Sequence, residues 1–596
     1  MKVWQKWISL LFCVFLVTLP LVAQDGEADS GENLFRAEPH AAYVAGEVLV
    51  KYKANADLSA MGAHLQSLGI QSVKSYSTIR VDRCSLGDDM SVEDALNQLA
   101  EHPSIEYCEP NYLYSIYDGA VPNDPSYGSQ WALNNTGQTG GTADADIDAP
   151  EAWNMTTGSG SIVVGVIDTG VDDTHPDLAD NMWRNPGESG GGKESNGVDD
   201  DGNGFVDDYR GWDFANNDNN PFDDNAHGTH CAGILGAVGN NSRGISGANW
   251  SVKIVGLKFL TGSGSGSTAG AIEAILYGAQ MGFPILSNSW GGGGRSQALA
   301  DAIETASQAG VLFVAAAGNS SSNNDRSDNY PSNYTSENVL AVAASDHRDQ
   351  LSSFSSFGLT TVDLAAPGTN ILSTTPSNNY QSFSGTSMAT PYVSGVAALA
   401  MAQFPGISMT NLKYRLMGST DAKAAFTNVT VTGGRLNAQK ALGTSPMIVV
   451  EPRGNTTDTN TAYTVNAFAT DDGPINSVTL EYTLSGTNTG GDVIAMTGNG
   501  KYTATIPAQP LNTTITYFAK ATDASGATVQ SLTRSFMVSL TDDGGGGGGG
   551  GIPCGCGAFA LSIDTGNTTM DSMATLSLNI LLVGLILLFF VRRRRE

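Results

Sequence analysis

The sequence is poor in cysteine, in basic residues and in long apolar runs, and these shortages exclude several classes of protein. Six cysteines scattered over 596 residues do not form the pattern of a disulfide framework. Thirty Lys and Arg residues against 59 Asp and Glu residues leave a formal net charge of -29, whereas a nucleic-acid-binding protein carries a basic patch. We therefore expect no nucleic-acid partner. The length predicts several domains.

The longest apolar runs occur near the two ends of the chain. Two lysines precede an apolar stretch from Ile8 to Leu19, and the small residue Ala23 follows. This pattern predicts a signal peptide over 1–23, because the run is short for a membrane anchor. A linker over 541–573 contains eight consecutive glycines and a close cysteine pair, which is either a lipid or linkage site or an ordinary pair. The apolar tail over 574–596 carries four consecutive arginines just before its last residue.

That tail predicts a transmembrane helix or a sorting segment with its C-terminus on the cytoplasmic side. The alternative is a buried core helix, but little chain follows it to complete a core. Together with the signal peptide, the tail predicts an exported bacterial protein. We expect that protein to be secreted or to be held at the membrane or cell surface.

Three folded regions are predicted between the ends. Residues 43–117 alternate strand and helix patterns in the order β-α-β-α-β, which suits a small α+β ferredoxin-like fold. Residues 118–444 alternate near-continuous apolar strands with helices, which predicts an α/β domain with a parallel sheet covered on both faces. Residues 446–540 contain alternating Thr-, Val- and Tyr-rich segments split by Gly, Asn and Asp. They predict an antiparallel β-sandwich of the immunoglobulin or fibronectin kind, with no assigned chemistry.

Three short strings of the middle region contain candidate catalytic residues. Asp168 ends the apolar strand of VVGVIDTG, and the carboxyl end of a parallel strand lies at the site-forming edge of a sheet. His227 begins HGTHCAGI, and Ser387 stands at the start of a helix in GTSMATPYVSG. Taken singly, each has an ordinary alternative. Asp168 could belong to a turn or to an aspartic-protease Asp-Thr-Gly. His227 could share a metal site with His230, and Ser387 could be a helix cap.

Together the three residues follow the order Asp, His, Ser, which is the order of subtilisin. The strings around them resemble those of subtilisin-like serine proteases, the thermitase branch in particular, over roughly residues 121–443. The resemblance implies a three-layer catalytic domain and a serine endopeptidase that works through an acyl-enzyme. Ser387 is then the nucleophile, His227 the general base and Asp168 the residue that orients the imidazole. Asn319 in VAAAGNS and the Ser387 backbone N–H would stabilise the oxyanion.

The resemblance also implies where polypeptide substrates bind. SNSWGGGG matches one edge of the cleft and LTGSGSG the opposite edge, so an extended peptide would be added as a strand between them. The implied contact residues are Ser289, Trp290, Gly291, Gly262 and Gly264. Because main-chain pairing is largely blind to side chains, we expect broad specificity with some preference for apolar residues.

Residues 43–117 resemble the inhibitory propeptides of the same family. The resemblance implies that the chain's own propeptide is a partner of its active site, and that the precursor is a zymogen. We expect autocatalytic cleavage between Tyr114 and Ala120.

Oxygen-rich strings predict structural calcium, with no catalytic cofactor. DDDGNGFVDD places Asp199, Asp201 and Asn203 at alternate positions with a glycine sixth, as in the first half of an EF-hand loop. Arg210 stands where that loop has its bidentate Glu, so the loop is incomplete. Asp207 is a further candidate ligand, and a solvated acidic turn is the alternative.

Two further calcium sites rest on the resemblance to the thermitase branch. The first combines side-chain oxygens with two backbone carbonyls, from Asp124, Asp177, Asn241, Val238 and Ile245. The second uses Asp213 and Asp218, although Phe222 cannot offer a side-chain oxygen there.

Two other functions compete with the endopeptidase. A non-catalytic surface adhesin that keeps the protease fold is the rival from another class. An esterase would also use a serine triad but usually has a Gly-x-Ser-x-Gly elbow, whereas Ser387 stands in GTSMA. Covalent labelling by a serine-directed fluorophosphonate distinguishes the enzyme from the adhesin.

Overall fold

A computed structural model describes residues 43–87, 90–100, 102–112 and 120–540. Three predicted segments lie outside the described residues: 1–23, 541–573 and 574–596. Most of the predicted cleavage interval lies outside them as well. No helix in the described part of the chain has both the length and the apolar character needed to cross a membrane.

The first folded unit is a four-stranded antiparallel sheet with two helices. Its elements are β1 (Tyr43–Tyr52), α1 (Leu58–Ser67), β2 (Gln71–Tyr76), β3 (Val81–Ser85), α2 (Val92–Ala100) and β4 (Ile105–Tyr112). The strand order is β2-β3-β1-β4. Leu65 and Leu96 from the helices pack with Val48 and Val50 of β1 in one core. The sequence pattern did not predict β2, because all six of its side chains are exposed and no apolar alternation marks it.

The second unit begins at residue 120 and contains a nine-stranded sheet. Its elements are α3 (Ala149–Trp153), β5 (Gly158–Asp168), β6 (Gly211–Asp213), α4 (His227–Gly236), β7 (Ser251–Lys258), α5 (Thr268–Gln280), β8 (Ile285–Asn288), α6 (Gln297–Gln308), β9 (Leu312–Ala316), β10 (Val339–Ser345), β11 (Leu364–Pro367), β12 (Ile371–Thr375), β13 (Asn379–Phe383), α7 (Thr386–Gln403), α8 (Met409–Gly418), β14 (Asp421–Ala422), β15 (Gly434–Arg435) and α9 (Ala438–Leu442). Strands β12 and β13 form a separate antiparallel hairpin.

The sheet has the order β14-β15-β11-β10-β9-β8-β5-β7-β6. All neighbouring strands are parallel except the edge pair β14 and β15. One apolar core packs α4 and α7 against the sheet, and a second core packs α5 and α6 against it. The prediction of an α/β sheet covered on both faces is therefore confirmed.

Helix α7 is the central helix of this unit. Every residue from Thr386 to Ala400 is buried, so all of the helix except its last turn lies inside the fold. Ser394 donates a hydrogen bond to Ser287 of β8 at 3.0 Å. A side chain at Gly395 would meet the carbonyl of Leu235 in α4 at 2.7 Å. Small residues therefore bring α7 close to the sheet on one side and to α4 on the other.

The third unit consists of two antiparallel sheets. Its strands are β16 (Met447–Val450), β17 (Tyr463–Thr470), β18 (Ile475–Gly486), β19 (Gly490–Ala495), β20 (Thr497–Asn499), β21 (Lys501–Ile506), β22 (Thr513–Asp523), β23 (Thr528–Gln530) and β24 (Arg534–Val538). One sheet has the order β16-β17-β21-β20, and the other has β19-β18-β22-β23 with β24 paired to β22. Tyr463, Tyr517 and Phe536 are buried in their common core, as expected of a β-sandwich.

Candidate active site

The carboxyl ends of the central strands bring the predicted catalytic residues to one edge of the sheet. Asp168 is the last residue of β5 and is fully buried. His227 is the first residue of α4, and its Nδ1 lies 2.7 Å from Asp168 Oδ1. The Thr169 N–H also donates to Asp168 Oδ1 at 2.7 Å, so the carboxylate is held in place. This geometry orients the imidazole with Nδ1 toward the acid.

The pKa of His227 reflects two opposing effects. Burial lowers it, but the nearby Asp168 carboxylate outweighs burial and holds the pKa well above its ordinary value. Cys231 lies one turn along α4, with Sγ 4.0 Å from His227 Nδ1. Because burial raises the pKa of the Cys231 thiol, the thiol stays protonated at neutral pH. We therefore assign the raised pKa of His227 to Asp168.

Asn319 and the start of α7 enclose a small space lined by N–H donors. Asn319 Oδ1 accepts from the Thr386 backbone N–H at 2.8 Å and from the Thr386 hydroxyl at 3.0 Å, which leaves its Nδ2 free to donate. A methyl group built on Gly385 would lie 3.3 Å from Asn319 Nδ2 and 3.6 Å from Ser387 N. The two nitrogens therefore border the same volume, and a glycine at 385 keeps it open.

Ser387 and Ser289 are joined by two hydrogen bonds. The Ser387 hydroxyl donates to the Ser289 carbonyl at 3.0 Å, and the Ser289 hydroxyl donates to the Ser387 carbonyl at 2.9 Å. Cys231 Sγ also donates to that carbonyl at 3.4 Å. Pro391 has no N–H to offer the carbonyl four residues earlier, so these side chains replace the missing helical bond. Helix α7 therefore keeps a proline in its second turn.

His227 and His230 do not share a ligand site. His230 Nε2 lies 3.0 Å from the Gln381 carbonyl, and its ring stacks on Phe383 with centroids 4.3 Å apart. Burial lowers the pKa of His230 to about 4. A neutral, stacked histidine in the core accounts for this residue.

A cleft of about 490 Å³ lies beside His227. Ser289, Trp290 and Gly291 line one side, and Gly264 lines the other. Gly262 is set back, and its carbonyl accepts from Asn225 Nδ2 at 2.9 Å. The described lining contains no Asp, Glu, Lys or Arg; its larger side chains are Phe259, Leu260, Trp290, Leu299 and Tyr330.

Comparison with known proteins decides the family. The model of the subtilase family (peptidase S8) matches residues 159–445, and that of the fervidolysin N-terminal prodomain matches residues 30–111. A thermophilic serine proteinase of Bacillus sp. strain AK1 is 33% identical over 443 residues, 73% of this chain and 98% of the relative. The chain belongs to the subtilase family. It is a subtilisin-like serine endopeptidase with a propeptide.

Two other relatives agree with this family. Thermitase of Thermoactinomyces vulgaris is 40% identical over 322 residues, which cover 54% of the subtilase described here and 99% of thermitase. A protein named extracellular protease, from Xanthomonas campestris pv. campestris, is 34% identical over 370 residues, 57% of this chain and 60% of the relative.

In the subtilase, the calcium site predicted at Asp124, Asp177, Val238, Asn241 and Ile245 is an assembled cluster. Asp124 is 4% exposed and Asp177 is fully buried. Asn241 donates its N–H to Asp124 Oδ1 at 3.0 Å and its side-chain amide to Asp177 Oδ1 at 2.8 Å. Ile245 N–H donates to Asp177 Oδ2 at 2.9 Å, and Val238 N–H donates to the Asp177 carbonyl at 2.8 Å. All five predicted residues therefore meet here.

The calcium site predicted from the EF-hand-like string at Asp199, Asp201, Asn203 and Asp207 is only partly assembled. The Asp199 carboxylate accepts the backbone N–H groups of residues 202–204, and the Asp207 carboxylate accepts that of Gly197. Asp201 lies instead with Glu188 and Asp208. Sequence reasoning missed both of these acids, because they join Asp201 only through the fold.

The calcium site predicted at Asp213 and Asp218 is one tight turn. Asp213 and Asp218 are paired through their backbones, with N···O distances of 2.8 and 3.1 Å. The Asp213 carboxylate accepts from Ala215 and Asn216, and that of Asp218 accepts from Asn220. Hydrogen bonds from backbone amides within the turn therefore account for the positions of both carboxylates without a metal ion.

Sequence reasoning also missed Cys231 and the second hydrogen bond of Ser289. The position of Cys231 four residues after His227, at the start of a helix, is a signal that places both on one face. No comparable signal exists for Ser289, whose hydroxyl partner is 98 residues away.

Proposed function

We propose that this endopeptidase cleaves polypeptides through a triad of Asp168, His227 and Ser387. The observation that carries the proposal is the 2.7 Å contact between Asp168 Oδ1 and His227 Nδ1. Cys231 Sγ contacts both His227 Nδ1 and the carbonyl of Ser387 in the first turn of α7. Asp168 would hold the imidazole in one tautomer and stabilise its protonated form. Ser387 would be the nucleophile and His227 the general base.

In the reaction, the Ser387 hydroxyl turns from the Ser289 carbonyl to His227 Nε2 and attacks the scissile carbonyl carbon. His227 takes the proton and gives it to the leaving amine, which leaves an acyl-enzyme. Water then attacks the acyl-enzyme with the same base and frees the acid. Asn319 Nδ2 and the Ser387 N–H would donate to the oxyanion in both steps. Each donor of this kind contributes about 2.7–4 kcal/mol of transition-state stabilisation.

Broad specificity is the expected behaviour of the cleft. A peptide laid between the edge at Ser289–Gly291 and the edge at Gly264 would be held by main-chain hydrogen bonds. The uncharged, partly aromatic lining of the cleft supports a preference for large apolar side chains and gives no basis for selecting charged ones.

Fluorophosphonate labelling of the full-length protein tests the proposed triad. Wild type should be labelled, and Ser387→Ala should not. Ser382→Ala is a matched control that changes an exposed serine of β13 and should label like wild type. Equal labelling of Ser387→Ala, or no labelling of wild type, would defeat the proposal and favour the adhesin.

We also propose that the protein is exported and cleaves its own propeptide between Tyr114 and Ala120. The signal-peptide pattern over 1–23 and the prodomain match support this, as does the name of the extracellular relative. The tail over 574–596 would hold the precursor at the membrane or cell surface. N-terminal sequencing of active enzyme should find a start in that interval, and Ser387→Ala should stay uncut. A mature start before Tyr43 would contradict the proposal.

Calcium is the proposed structural cofactor at Asp124, Asp177 and Asn241. Asp124 and Asp177 are both buried and are both bound by Asn241, buried carboxylates without a cation are costly, and burial raises the pKa of Asp124. Carboxylate and amide oxygens with nearby backbone carbonyls are the ligands that calcium prefers. The residues therefore fit the ion, which would join the start of this unit to the loop after α4.

A further inference from the structure

The segment between residues 184 and 211 brings three carboxylates to one point. Glu188, Asp201 and Asp208 each offer an oxygen, and these oxygens all lie within 4.8 Å of one another. Asp208 is also bound to Asn185 at 2.6 Å and to the Tyr277 hydroxyl at 2.5 Å. The three acids come from different turns of the segment, so their approach is a product of the fold.

Two of these acids are completely removed from solvent. Glu188 and Asp208 are both 0% exposed, whereas Asp201 stands at the surface. None of the three forms an ion pair with Lys, Arg or His within the described chain. The nearby Lys193 reaches Asp200 at 4.0 Å and the Gly187 carbonyl at 3.2 Å instead. Buried carboxylates are normally paired or coordinate a metal, and no side chain here supplies a positive charge.

Glu188 has an oxygen without a partner. Its Oε1 accepts the N–H groups of Asp200 at 2.7 Å and Asp201 at 3.3 Å. Its Oε2 is buried and has no hydrogen-bond partner in the described structure. Buried polar atoms without partners are rare in native proteins, and an unplaced ion is one of the accepted explanations. This atom is independent of the turn geometry that accounts for Asp199 and Asp207.

We propose that Glu188, Asp201 and Asp208 bind a calcium ion that the EF-hand-like pattern alone does not define. Calcium takes oxygen ligands at about 2.3–2.6 Å, so ligands on opposite sides of one ion lie about 4.6–5.2 Å apart. The spacing of at most 4.8 Å among the three oxygens fits that range. The set is purely oxygen, as a hard cation requires, and contains no nitrogen or sulfur ligand of the kind that favours zinc.

The ion would fasten the segment to α5. Tyr277 of α5 donates to Asp208, and Gln280 of the same helix donates to the Asn203 carbonyl at 2.9 Å. The first turn of α5 lines the substrate cleft through Thr268 and Ala271. Binding at the three acids would therefore stabilise one wall of the cleft from behind without touching substrate.

Calcium titration of the full chain tests the site. The chain would carry Ser387→Ala so that it stays intact, and would be stripped with EDTA and titrated with calcium chloride by calorimetry. Glu188→Gln should bind one ion fewer per chain, or one ion about tenfold or more weakly. Glu194→Gln is the matched control, because Glu194 lies in the same segment but outside the three-acid cluster. Unchanged calcium binding by Glu188→Gln would overturn the proposal.

Thermal unfolding separates a ligand from a structural residue. In EDTA, Glu188→Gln should unfold at the same temperature as the parent or higher, because it removes a buried charge without a partner. In calcium it should unfold at a lower temperature than the parent. An equal loss in both conditions would mean that Glu188 only supports the turn at Asp200, and would overturn the proposal. If Glu188→Gln does not fold, Asp208→Asn gives the same two comparisons.

Discussion

At the scale of single residues, the charge of Asp168 would set the pH at which His227, the proposed general base, loses its proton. The pKa of His227 is raised, since the carboxylate outweighs burial. A raised pKa keeps the imidazole protonated to a higher pH, so kcat/KM falls as pH drops through that pKa. The acid limb of the pH profile therefore lies above the ordinary histidine value of about 6.5.

Asp168→Asn should move that acid limb to lower pH, because burial then acts on His227 without an opposing charge. It should also reduce kcat by about 10⁴-fold, since the tautomer is no longer held. The measurement is kcat/KM against pH with a chromogenic peptide. Asp301→Asn, an exposed change on α6, should leave the profile unchanged. An acid limb that stays in place in Asp168→Asn would contradict this account of His227.

At the scale of elements, helix α7 depends on a side chain from another strand end. Pro391 removes the N–H that would bond the Ser387 carbonyl, and the Ser289 hydroxyl supplies a bond of 2.9 Å in its place. Ser289→Ala should therefore lower the free energy of unfolding by about 1–3 kcal/mol, the cost of a poorly satisfied buried group. Adding Pro391→Ala should recover part of that loss, because an alanine at that position restores the backbone N–H.

A double-mutant cycle measures this coupling, using urea unfolding followed by fluorescence in an inactive His227→Ala background. We expect a coupling energy of about 1 kcal/mol between Ser289→Ala and Pro391→Ala. Ser287→Ala is the control, because Ser287 bonds Ser394 one turn beyond Pro391 and should add independently. Additive effects of Ser289→Ala and Pro391→Ala would rule out the replacement bond.

Continuous apolar runs made the central strands predictable. The near-continuous apolar strands predicted for residues 118–444 include β5, β7, β8, β9 and β10 of the structure. Strands β6, β14 and β15 span only two or three residues each, which is too short for a period to be recognised. Strand β2 was missed for the different reason that it buries no side chain.

The candidate site divides in a similar way. Asp168, His227 and Ser387 were found because each stands in a distinctive local string and their order along the chain is informative. Glu188 and Asp208 were not, since their meeting with Asp201 depends on a turn that no local pattern encodes. Local strings are therefore enough to propose catalytic residues, whereas contacts between distant turns require the folded chain.

At the scale of the whole molecule, the β-sandwich is anchored to the peptidase unit by a buried arginine. Arg534 of β24 is 6% exposed. Its guanidinium donates to the Thr427 carbonyl at 2.6 Å and to the Val431 carbonyl. Phe468 of β17 also stacks on Tyr414 of α8, with ring centroids 4.4 Å apart. These hydrogen bonds and this ring stack therefore hold the sandwich against the peptidase unit.

Arg534→Met should remove the hydrogen bonds between the two units while keeping most of the apolar stem of the side chain. Hydrogen bonds to charged groups contribute about 1.5–3 kcal/mol, so calorimetry should show a lower unfolding temperature for the peptidase unit. Arg453→Met is the matched control, since Arg453 donates to the Thr464 carbonyl within the sandwich and does not reach the peptidase unit. If both variants unfold alike, the arginine is not an anchor.

Calcium should stabilise the whole molecule through two separate sites. One proposed ion joins Asp124 to Asp177, 53 positions later in the chain, and the other joins Glu188, Asp201 and Asp208. At a free calcium concentration 100-fold above Kd, one site contributes about 2.7 kcal/mol of stability. EDTA should therefore lower the unfolding temperature of wild type, and Asp124→Asn and Glu188→Gln should each remove part of that difference.

The double variant should then unfold at the same temperature with and without EDTA. Asp180→Asn, an exposed change close to Asp177 in the chain, should keep the full response to calcium. The measurement is the unfolding temperature of inactivated full-length proteins with and without EDTA, with each single variant, the double variant and Asp180→Asn compared with the otherwise unchanged chain. Because distant, independent sites contribute additively, removing both sites should remove the whole response to calcium. If the double variant still responds to calcium as wild type does, the stabilising ions bind elsewhere.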